Sequence, residues 1–445
     1  MVVKAGVSAR DLAARVVERV TRQDAFAAAT LEAELTRAVQ LDARDRALAT
    51  ELVYGTLRVL PWLKTEIARF ATRGIDSLDD RVQARLVVAA YQLFFTRVPP
   101  FAAVSEAVEA VRLERGAKLA GFANAVLRKV ATRAGGMQGE IREEALLAST
   151  PAWLRAALER SIGADGATAF LRSAIEPPAV ALRVEREAER DTWIGRLRAA
   201  ATEATFEPGK VSPRAILARG AGRAQALPGW DEGAWTIQEE GSQLAALAVG
   251  AREGETVLDA CAGRGNKTGV LARAVGEAGA VDACDTSPSK LARMDQELVR
   301  LGVRARTTFA VDWSVGSGDV SGQYDRVLVD APCTGVGTLR RRPEIVLRLQ
   351  ESDLQVRPQV QLAIASRAAE HVRPGGSLVY VVCSVLREEA EDVVSALLAA
   401  RPELEPAPFD TPAVTALAGD GASLRLLPHV HGTDGYFVAR FVRRR

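Results

Sequence analysis

The second half of the chain repeats one pattern, in which a short apolar strand, a glycine-containing loop and a helix follow one another. Five strands are predicted, over residues 255–260, 279–285, 305–312, 325–331 and 377–383. Strands that alternate with helices are typical of a parallel, doubly wound sheet, because parallel neighbours need a crossover connection. The sequence therefore predicts an α/β domain over residues 239–445.

Acids and thiols stand at the carboxyl ends of these strands, where doubly wound sheets bind their ligands. They are Asp259, Cys261, Asp285, Asp312, Asp330, Cys333 and Cys383. One aspartate after a strand is commonly the N-cap of the next helix. Four strands that all end in aspartate favour a binding function instead. We therefore predict one ligand site along this edge.

The loop after the first of these strands lies within LDACAGRGNKTGVLA, at residues 258–272. A phosphate-binding loop needs the pattern G-x-x-x-x-G-K-[ST]. Here Asn266 precedes Lys267, and Cys261 replaces the first glycine. A phosphate-binding loop is therefore disfavoured.

Two other ligands remain for this loop. A dinucleotide fold needs G-x-G-x-x-G, and the glycines at 263, 265 and 269 miss that spacing by one residue. S-adenosylmethionine carries no phosphate and needs only a close approach of the backbone and an acid for the ribose diol. We therefore predict that S-adenosylmethionine is held by the following residues: Cys261, Ala262, Gly263, Arg264, Gly265, Asn266, Lys267, Asp285 at the ribose, Asp312 at the adenine amino group, and Asp330.

The first half of the chain has helical periodicity. Ser8 and Asp11 form a capping box, and the apolar residues that follow fall on one helical face. The same spacing returns after Pro99 and again from Phe122. We predict an all-helical domain over residues 1–135, a glycine-rich linker AGGMQGE at 134–140 and a small α+β domain over 145–235, whose elements are a helix in TPAWLRAALERSI, a strand at 179–184 and a helix at 193–201.

The net charge and the numbers of cysteines and histidines limit the kinds of binding site that the protein can have. The net charge is only +2, so any nucleic-acid surface must be a local patch. The four cysteines include no C-x-x-C and only three histidines are present, so we expect neither a metal site nor disulfides. No apolar stretch is long enough to span a membrane. The opening MVVKAGVSARDLAARVV predicts an amphipathic helix rather than a secretion signal, so we expect a cytoplasmic protein.

The loop and strand-end motifs in the second half of the chain resemble those of the NOL1/NOP2/Sun family of RNA cytosine-5 methyltransferases. The family's cofactor loop D-x-C-A-A-P-G-G-K-T corresponds to DACAGRGNKT at 259–268, with Arg264 and Asn266 in place of a proline and a glycine. Its D-A-P-C-[ST]-G-x-G loop matches residues 330–337, and its T-C-S motif corresponds to VCS at 382–384. The closing HGTDGYFVARF also resembles the family's last strand.

The helical half resembles NusB, through DRALATELVYGTLR, VPPFAAVSEAVE and FANAVLRKV. A NusB-like domain, a small middle domain and a methyltransferase are the arrangement of the bacterial Sun/Fmu branch. The resemblance implies an all-α, RNA-binding N-terminal domain, an α+β middle domain and a Rossmann-like methyltransferase. It also implies 16S ribosomal RNA as the partner, free or in an early particle, and a monomer.

The resemblance assigns roles to the site residues. It implies that Cys383 attacks the base and that Cys333 helps to release the product. It implies that Lys267 points into the site, near the cofactor or Asp330. The chemistry also needs an acid that stabilises charge near N3 of the base, and Asp330 offers it. Arginines such as those at 340–342 most often form a solvated face, but their position next to the Pro-Cys loop predicts that they meet RNA phosphates.

Spacing alone leaves alternatives open. In DNA cytosine methyltransferases the nucleophile lies in the Pro-Cys loop, which would indicate Cys333 rather than Cys383. Two other functions are possible in principle: an RNA-binding protein with an inactive methyltransferase fold, and a methyltransferase that acts on a nitrogen of RNA or protein. The pair of cysteines with Asp330 argues against both, because neither function needs thiols.

Overall fold

The computed structural model describes residues 7–71, 74–137 and 141–445. The chain divides into two compact units. The first contains the residues up to Arg155 with two later segments, Leu171–Glu176 and Leu339–Arg348. The second contains the remaining parts, which are Ala156–Phe170, Pro177–Thr338 and Leu349–Arg445. Within the described residues, no helix has the length and apolar character of a membrane-spanning segment.

The first unit is built from helices. In chain order these are α1 (Ala9–Arg22), α2 (Ala27–Arg37), α3 (Ala43–Arg58), α4 (Leu60–Ala68), α5 (Asp80–Phe95), α6 (Pro100–Arg115), α7 (Ala117–Gly136) and α8 (Ile141–Ser149). Two further helices, α9 (Ala152–Ile162) and α10 (Ala164–Arg172), each cross the division between the units. The predicted all-helical N-terminal region is confirmed.

The predicted start of α1 is also confirmed. The Ser8 hydroxyl accepts a hydrogen bond from the Asp11 amide, and the Asp11 carboxylate accepts one from the Ser8 amide. This reciprocal pair satisfies amide groups that the first helical turn leaves without partners. Leu12, Val16 and Val17 are then fully buried on the inner face of the helix.

The prediction of a linker at 134–140 is wrong for its first residues. Helix α7 continues to Gly136, so Gly135 and Gly136 form its last turn. Glycine is tolerated there because the last turn makes few intrahelical hydrogen bonds to lose. Residues 138–140 of the predicted linker lie outside the described residues.

A small antiparallel sheet occupies the start of the second unit. Its elements are β1 (Val180–Val184), α11 (Arg190–Ala200), β2 (Thr205–Pro208), β3 (Ala215–Arg219) and β4 (Trp235–Ile237). The strand order is β2-β3-β1-β4, and α11 packs its Trp193 and Leu197 into the core of the sheet. The predicted strand at 179–184 and helix at 193–201 are found, in a mixed α+β arrangement.

The rest of the chain forms the large α/β region. Its elements are α12 (Glu240–Leu247), β5 (Thr256–Asp259), α13 (Asn266–Val275), β6 (Ala280–Asp285), α14 (Pro288–Arg300), β7 (Thr307–Ala310), β8 (Tyr324–Asp330), α15 (Ile345–Arg348), α16 (Asp353–Glu370), β9 (Val372–Val382), α17 (Glu391–Ala400), β10 (Leu404–Pro406), α18 (Pro412–Ala418), β11 (Ser423–Leu426), α19 (Pro428–His431) and β12 (Tyr436–Arg443). Of these, α15 belongs to the first unit.

The large sheet has eight strands in the order β10-β12-β9-β8-β5-β6-β7, with β11 paired to β12. Strands β5 to β9 run parallel, whereas β12 is antiparallel to its neighbours. The chain moves outward from β5 to β7 and then returns to β8 on the other side of β5. This reversal places a ligand crevice at the carboxyl ends of β5 and β8. The predicted Rossmann-like fold is confirmed.

One predicted strand begins earlier than expected. Strand β9 starts at Val372 rather than at residue 377, and its register with β8 shifts between Tyr324 and Arg326. Gly375 has a φ of 76°, which L side chains rarely adopt. The RPGG sequence is typical of a loop, but here it forms an irregularity inside the strand.

Candidate active site

The loop between β5 and α13 has the conformation that close backbone approach requires. Gly263 and Gly265 adopt φ values of 59° and 83°. A Cβ on Gly265 would lie 2.3 Å from Met294 Cγ, so this position needs a glycine. The Ala262 amide donates to the Cys284 carbonyl over 2.7 Å, which anchors the loop to the end of β6.

Asp285, the last residue of β6, holds this loop in place through hydrogen bonds. Its Oδ2 accepts a hydrogen bond from the Gly263 amide at 3.1 Å, and its Oδ1 accepts one from the Ser287 amide at 2.8 Å. Lys290 pairs with the same carboxylate at 3.3 Å. The predicted ribose-binding acid therefore lies directly beside the predicted cofactor loop.

The other predicted loop residues differ in exposure. Arg264 is exposed at the tip of the loop, and Cys261 is partly buried against the core. Burial raises the pKa of the Cys261 thiol. Asn266 begins α13, where its carbonyl oxygen accepts from the Arg183 guanidinium at 2.6 Å. Asp312 is exposed beyond β7 and accepts from the Ser314 amide at 2.9 Å, a local turn contact.

Asp259 lies beneath the cofactor loop, where it has a structural role. It is fully buried, and its Oδ2 accepts a hydrogen bond from the Thr268 hydroxyl at 2.7 Å. Burial raises the pKa of the Asp259 carboxyl to about 7. Sequence alone placed Asp259 with the other strand-end acids, but it is the one that points into the protein.

We expect the free energy of unfolding of the wild type to fall relative to that of Asp259→Asn as pH rises. The unfolded carboxyl titrates near 3.8 and the folded one near 7, so between these values the unfolded state binds fewer protons. Rising pH therefore destabilises the wild-type fold in this window, by up to about 1.4 kcal/mol per pH unit. The asparagine cannot ionise, and its oxygen can still accept from Thr268.

Thermal melting of both proteins at about pH 4, pH 5.5 and pH 8 tests this expectation. The melting temperature of the variant should rise relative to the wild type across the series. A difference that stays constant with pH would show that Asp259 is ionised in the fold.

Lys267 and Asp330 form an ion pair at the crevice. Their Nζ and Oδ2 atoms are 2.5 Å apart, and the lysine side chain is buried. Burial lowers the pKa of Lys267, but the Asp330 carboxylate more than offsets this, so the net pKa lies above the usual value. The ammonium also lies 6.0 Å from the centre of the Tyr436 ring. Lys267 therefore remains charged and holds Asp330 in place.

The two candidate thiols meet beside this pair. Cys333 follows β8 and Cys383 follows β9, and these strands are parallel neighbours in which Asp330 lies opposite Val381. The two Sγ atoms are 3.3 Å apart, too far for a disulfide. The hydrogen bond with Cys383 and burial raise the pKa of Cys333 well above its usual value.

Backbone hydrogen bonds tie three separate segments together around the thiols. The Gly337 amide donates to the Cys383 carbonyl at 3.0 Å, and the Gly435 amide donates to the Gly337 carbonyl at 2.8 Å. The loop of Cys333, the end of β9 and the start of β12 are therefore joined. Tyr436, which follows directly, is buried, and burial raises the pKa of its hydroxyl.

Sequence reasoning missed the buried support of these loops. Glu389, Gln361 and Tyr380 lie beneath the Cys333 loop and bond to it or to one another. The only signal in the sequence is the acidic stretch REEAED, whose acids would ordinarily be solvated. Among the residues that the structure describes, no group of three or more His, Cys, Asp or Glu side chains could hold a metal ion.

The arginine segment after the Cys333 loop packs within the first unit. Arg58 donates to the Arg340 carbonyl at 3.1 Å, and the Arg342 guanidinium lies 5.2 Å from the centre of the Phe26 ring. Glu344 is buried and accepts from the amide of Ala27, the first residue of α2. A role of these arginines at RNA phosphates stays a prediction.

Comparison with known proteins places this geometry in a family. Residues 246–442 match the family model described as 16S rRNA methyltransferase RsmB/F, and residues 7–132 match the NusB family. The chain is 31% identical to ribosomal RNA small subunit methyltransferase B of Klebsiella pneumoniae, over 99% of this chain and 100% of the relative. The protein of the same name from Salmonella typhi is also 31% identical, over 98% of each chain.

Solved structures share the fold. The crystal structure of PH0851 superposes with a TM-score of 0.83 at 23% identity, over 98% of this chain and 99% of the other. NSun6 from Pyrococcus horikoshii, solved with SFG, has a TM-score of 0.56 at 19% identity and covers 66% of this chain. The fold follows from these likenesses, and the family follows from the full-length sequence relatives. The chain therefore belongs to the RsmB/F family of S-adenosylmethionine-dependent 16S rRNA methyltransferases, with a NusB-family domain in its N-terminal part.

Proposed function

We propose that this protein methylates carbon 5 of a cytosine in small-subunit ribosomal RNA through a covalent bond between a cysteine and the base. One observation carries the proposal: the thiols of Cys333 and Cys383 lie 3.3 Å apart, beside the Lys267–Asp330 ion pair. Methylation of a nitrogen needs no thiol, whereas carbon 5 of cytosine does need one.

The chemistry explains this need. Carbon 5 of cytosine is a poor nucleophile until a thiolate adds to carbon 6 and makes it enamine-like. Carbon 5 can then take the methyl group, after which a base removes the carbon 5 proton and the thiol leaves. The target base must be turned out of its stack to reach the crevice.

The side chains divide these tasks. Cys383 is the proposed nucleophile, and Cys333 assists the release of the methylated base. The Asp330 side chain is 28% exposed, so one part of it can meet the base near N3 while Lys267 holds the other. The electron pair that thiolate addition sends to N3 would be neutralised there by a proton from the Lys267 ammonium, relayed through the Asp330 carboxyl group that it contacts at 2.5 Å. N3 would return this proton by the same route when the Cys383 thiolate leaves.

The residues around the cofactor loop fit S-adenosylmethionine, which supplies the methyl group. Gly263 has open space where a Cβ would stand, and Gly265 keeps the backbone close to α14. We propose that the backbone of residues 261–267 binds the amino-acid part, that Asp285 binds the ribose diol and Asp312 the adenine amino group. Asp330 completes the site.

Asp285→Ala is expected to weaken S-adenosylmethionine binding by about 1–3 kcal/mol, the cost of losing buried hydrogen bonds to a carboxylate. Isothermal titration calorimetry measures this change. Asp295→Ala, which removes an exposed aspartate from the neighbouring helix α14, serves as the control and should bind normally. Equal affinity of the two variants would remove Asp285 from the cofactor site.

The position of methylation is tested with RNA that carries tritium at carbon 5 of cytosine. Small-subunit ribosomal RNA should release tritium to water in step with methyl transfer, because the carbon 5 proton must leave. Methyl transfer without tritium release would indicate a nitrogen target. No methyl transfer to this RNA, with binding retained, would indicate an RNA-binding protein.

A further inference from the structure

A fully buried carboxylate, Glu389, lies directly beneath the loop that carries Cys333. Its relative exposure is 0%. Its Oε1 accepts from the Thr334 amide at 2.8 Å, and its Oε2 accepts from the Thr334 hydroxyl. Because both oxygens accept hydrogen bonds, the group acts as a carboxylate rather than as an acid.

Two further side chains extend this contact to the residue before Cys333. Gln361 on α16 donates to Glu389 Oε1 at 2.9 Å and to the Pro332 carbonyl at 3.1 Å. The Tyr380 hydroxyl lies 3.1 Å from Gln361 Oε1 and 2.8 Å from the Glu389 carbonyl. The residues on either side of Cys333 are therefore both attached to one buried network.

The two thiols lie in different electrostatic surroundings. The titratable groups that face Cys333 are Cys383, which follows β9, Tyr380 on β9, and Glu389 in the following turn. The hydrogen bond with Cys383 and burial are the largest causes of the raised pKa of Cys333, and the Glu389 charge raises it further. The Lys267 ammonium, held by Asp330, interacts with Cys383. Cys333 therefore lies next to a negative charge and Cys383 next to a positive charge, although the two side chains are chemically identical.

We infer that Glu389 is a positioning residue that fixes the Cys333 loop and keeps the Cys333 thiol neutral until Cys383 has attacked the base. Bonding of Cys383 to the base ends its hydrogen bond with Cys333, which is the largest cause of the raised pKa of Cys333, so Cys333 can then ionise and take the carbon 5 proton. This inference rests on the proposed function, because Cys333 and Cys383 need different roles only if the enzyme bonds covalently to the base. The placement of charge itself depends on neither RNA nor cofactor.

Glu389→Gln removes the negative charge of the side chain but can keep most of its hydrogen bonds. The glutamine oxygen can keep the contacts with the Thr334 amide and with Gln361. Its amide group would face the Thr334 hydroxyl, which can turn its proton towards Ser384 Oγ at 3.4 Å. The matched control is Glu388→Gln, which removes a neighbouring carboxylate that pairs with Arg160.

The experiment measures the alkylation of each thiol by iodoacetamide in the free protein, with initial rates taken over a pH series and each cysteine peptide quantified by mass spectrometry. In the wild type, the midpoint for Cys333 should lie above that of an ordinary cysteine thiol. In Glu389→Gln the Cys333 midpoint should fall, because one of the negative charges that raise it is removed. The control should retain the wild-type values.

Two outcomes would overturn the inference. One is a Cys333 midpoint that is the same in a folded Glu389→Gln protein as in the wild type. The other is a wild-type Cys333 whose midpoint lies at or below that of an ordinary cysteine thiol, a result that needs no variant to fold. Tritium release by the wild type separately decides whether carbon 5 is methylated, so failure of the two proposals can be told apart.

Discussion

Cys383→Ala is expected to form no covalent bond with RNA and to lose all methyl transfer, whereas Cys333→Ala is expected to remain attached to the RNA it has methylated. Without Cys383 no thiol adds to carbon 6, so carbon 5 is never activated. Without Cys333 the addition and the methyl transfer still occur, but the removal of the carbon 5 proton lacks its aid. Denaturing gels of each variant with small-subunit RNA and S-adenosylmethionine show the difference.

Two controls make this comparison sharp. The double variant, with both cysteines replaced by alanine, should show no adduct, because the adduct of Cys333→Ala depends on Cys383. Cys284→Ala removes a thiol that is fully buried in the core and should behave like the wild type. An adduct that accumulates in Cys383→Ala instead would assign the nucleophile to the loop after β8.

Gly337→Ala is expected to slow methyl transfer by about 100-fold or more, as displacements of about 1 Å at a reacting group can do. A Cβ at this position would lie 2.0 Å from the Gly435 carbonyl oxygen and 2.9 Å from that of Cys383. Both are backbone atoms, so the loop of Cys333 must move away from Cys383. Initial rates of methyl transfer, with thermal melting to verify the fold, measure the effect.

Gly316→Ala is the matched control for this substitution. Its added Cβ would meet no atom within 4 Å, so the rate of methyl transfer should be unchanged. If Gly337→Ala methylated RNA as fast as this control, the hydrogen bonds that join the three segments would not set the distance between the thiols.

Features that depend on neighbouring residues in the sequence could be predicted well. The alternation of strands and helices predicts the parallel sheet, and the strand ends predict that Asp285, Asp330 and the two thiols share one edge. Ser8 and Asp11 predict the helix start for the same reason, since a capping box joins residues three apart. In each case the chemical cause lies within a few residues of its effect.

Features that depend on distant contacts could not be predicted. Nothing near Glu389 indicates that its carboxylate is buried under Thr334, because the contact joins residues 55 apart in sequence. Gly337 needs to be a glycine because the carbonyl groups of Gly435 and Cys383 lie against it. The same limit explains Asp259, whose place at a strand end is like that of Asp285 although it faces the interior.

The most direct test of a covalent mechanism uses small-subunit ribosomal RNA that contains 5-fluorocytidine. Fluorine cannot leave carbon 5 as a proton does, so the methylated adduct should persist as a protein–RNA complex on a denaturing gel, and peptide mapping should find the RNA on Cys383. The complex should require S-adenosylmethionine for its full stability and should be absent in Cys383→Ala. Continued turnover on the fluorinated RNA with no stable complex would contradict the account.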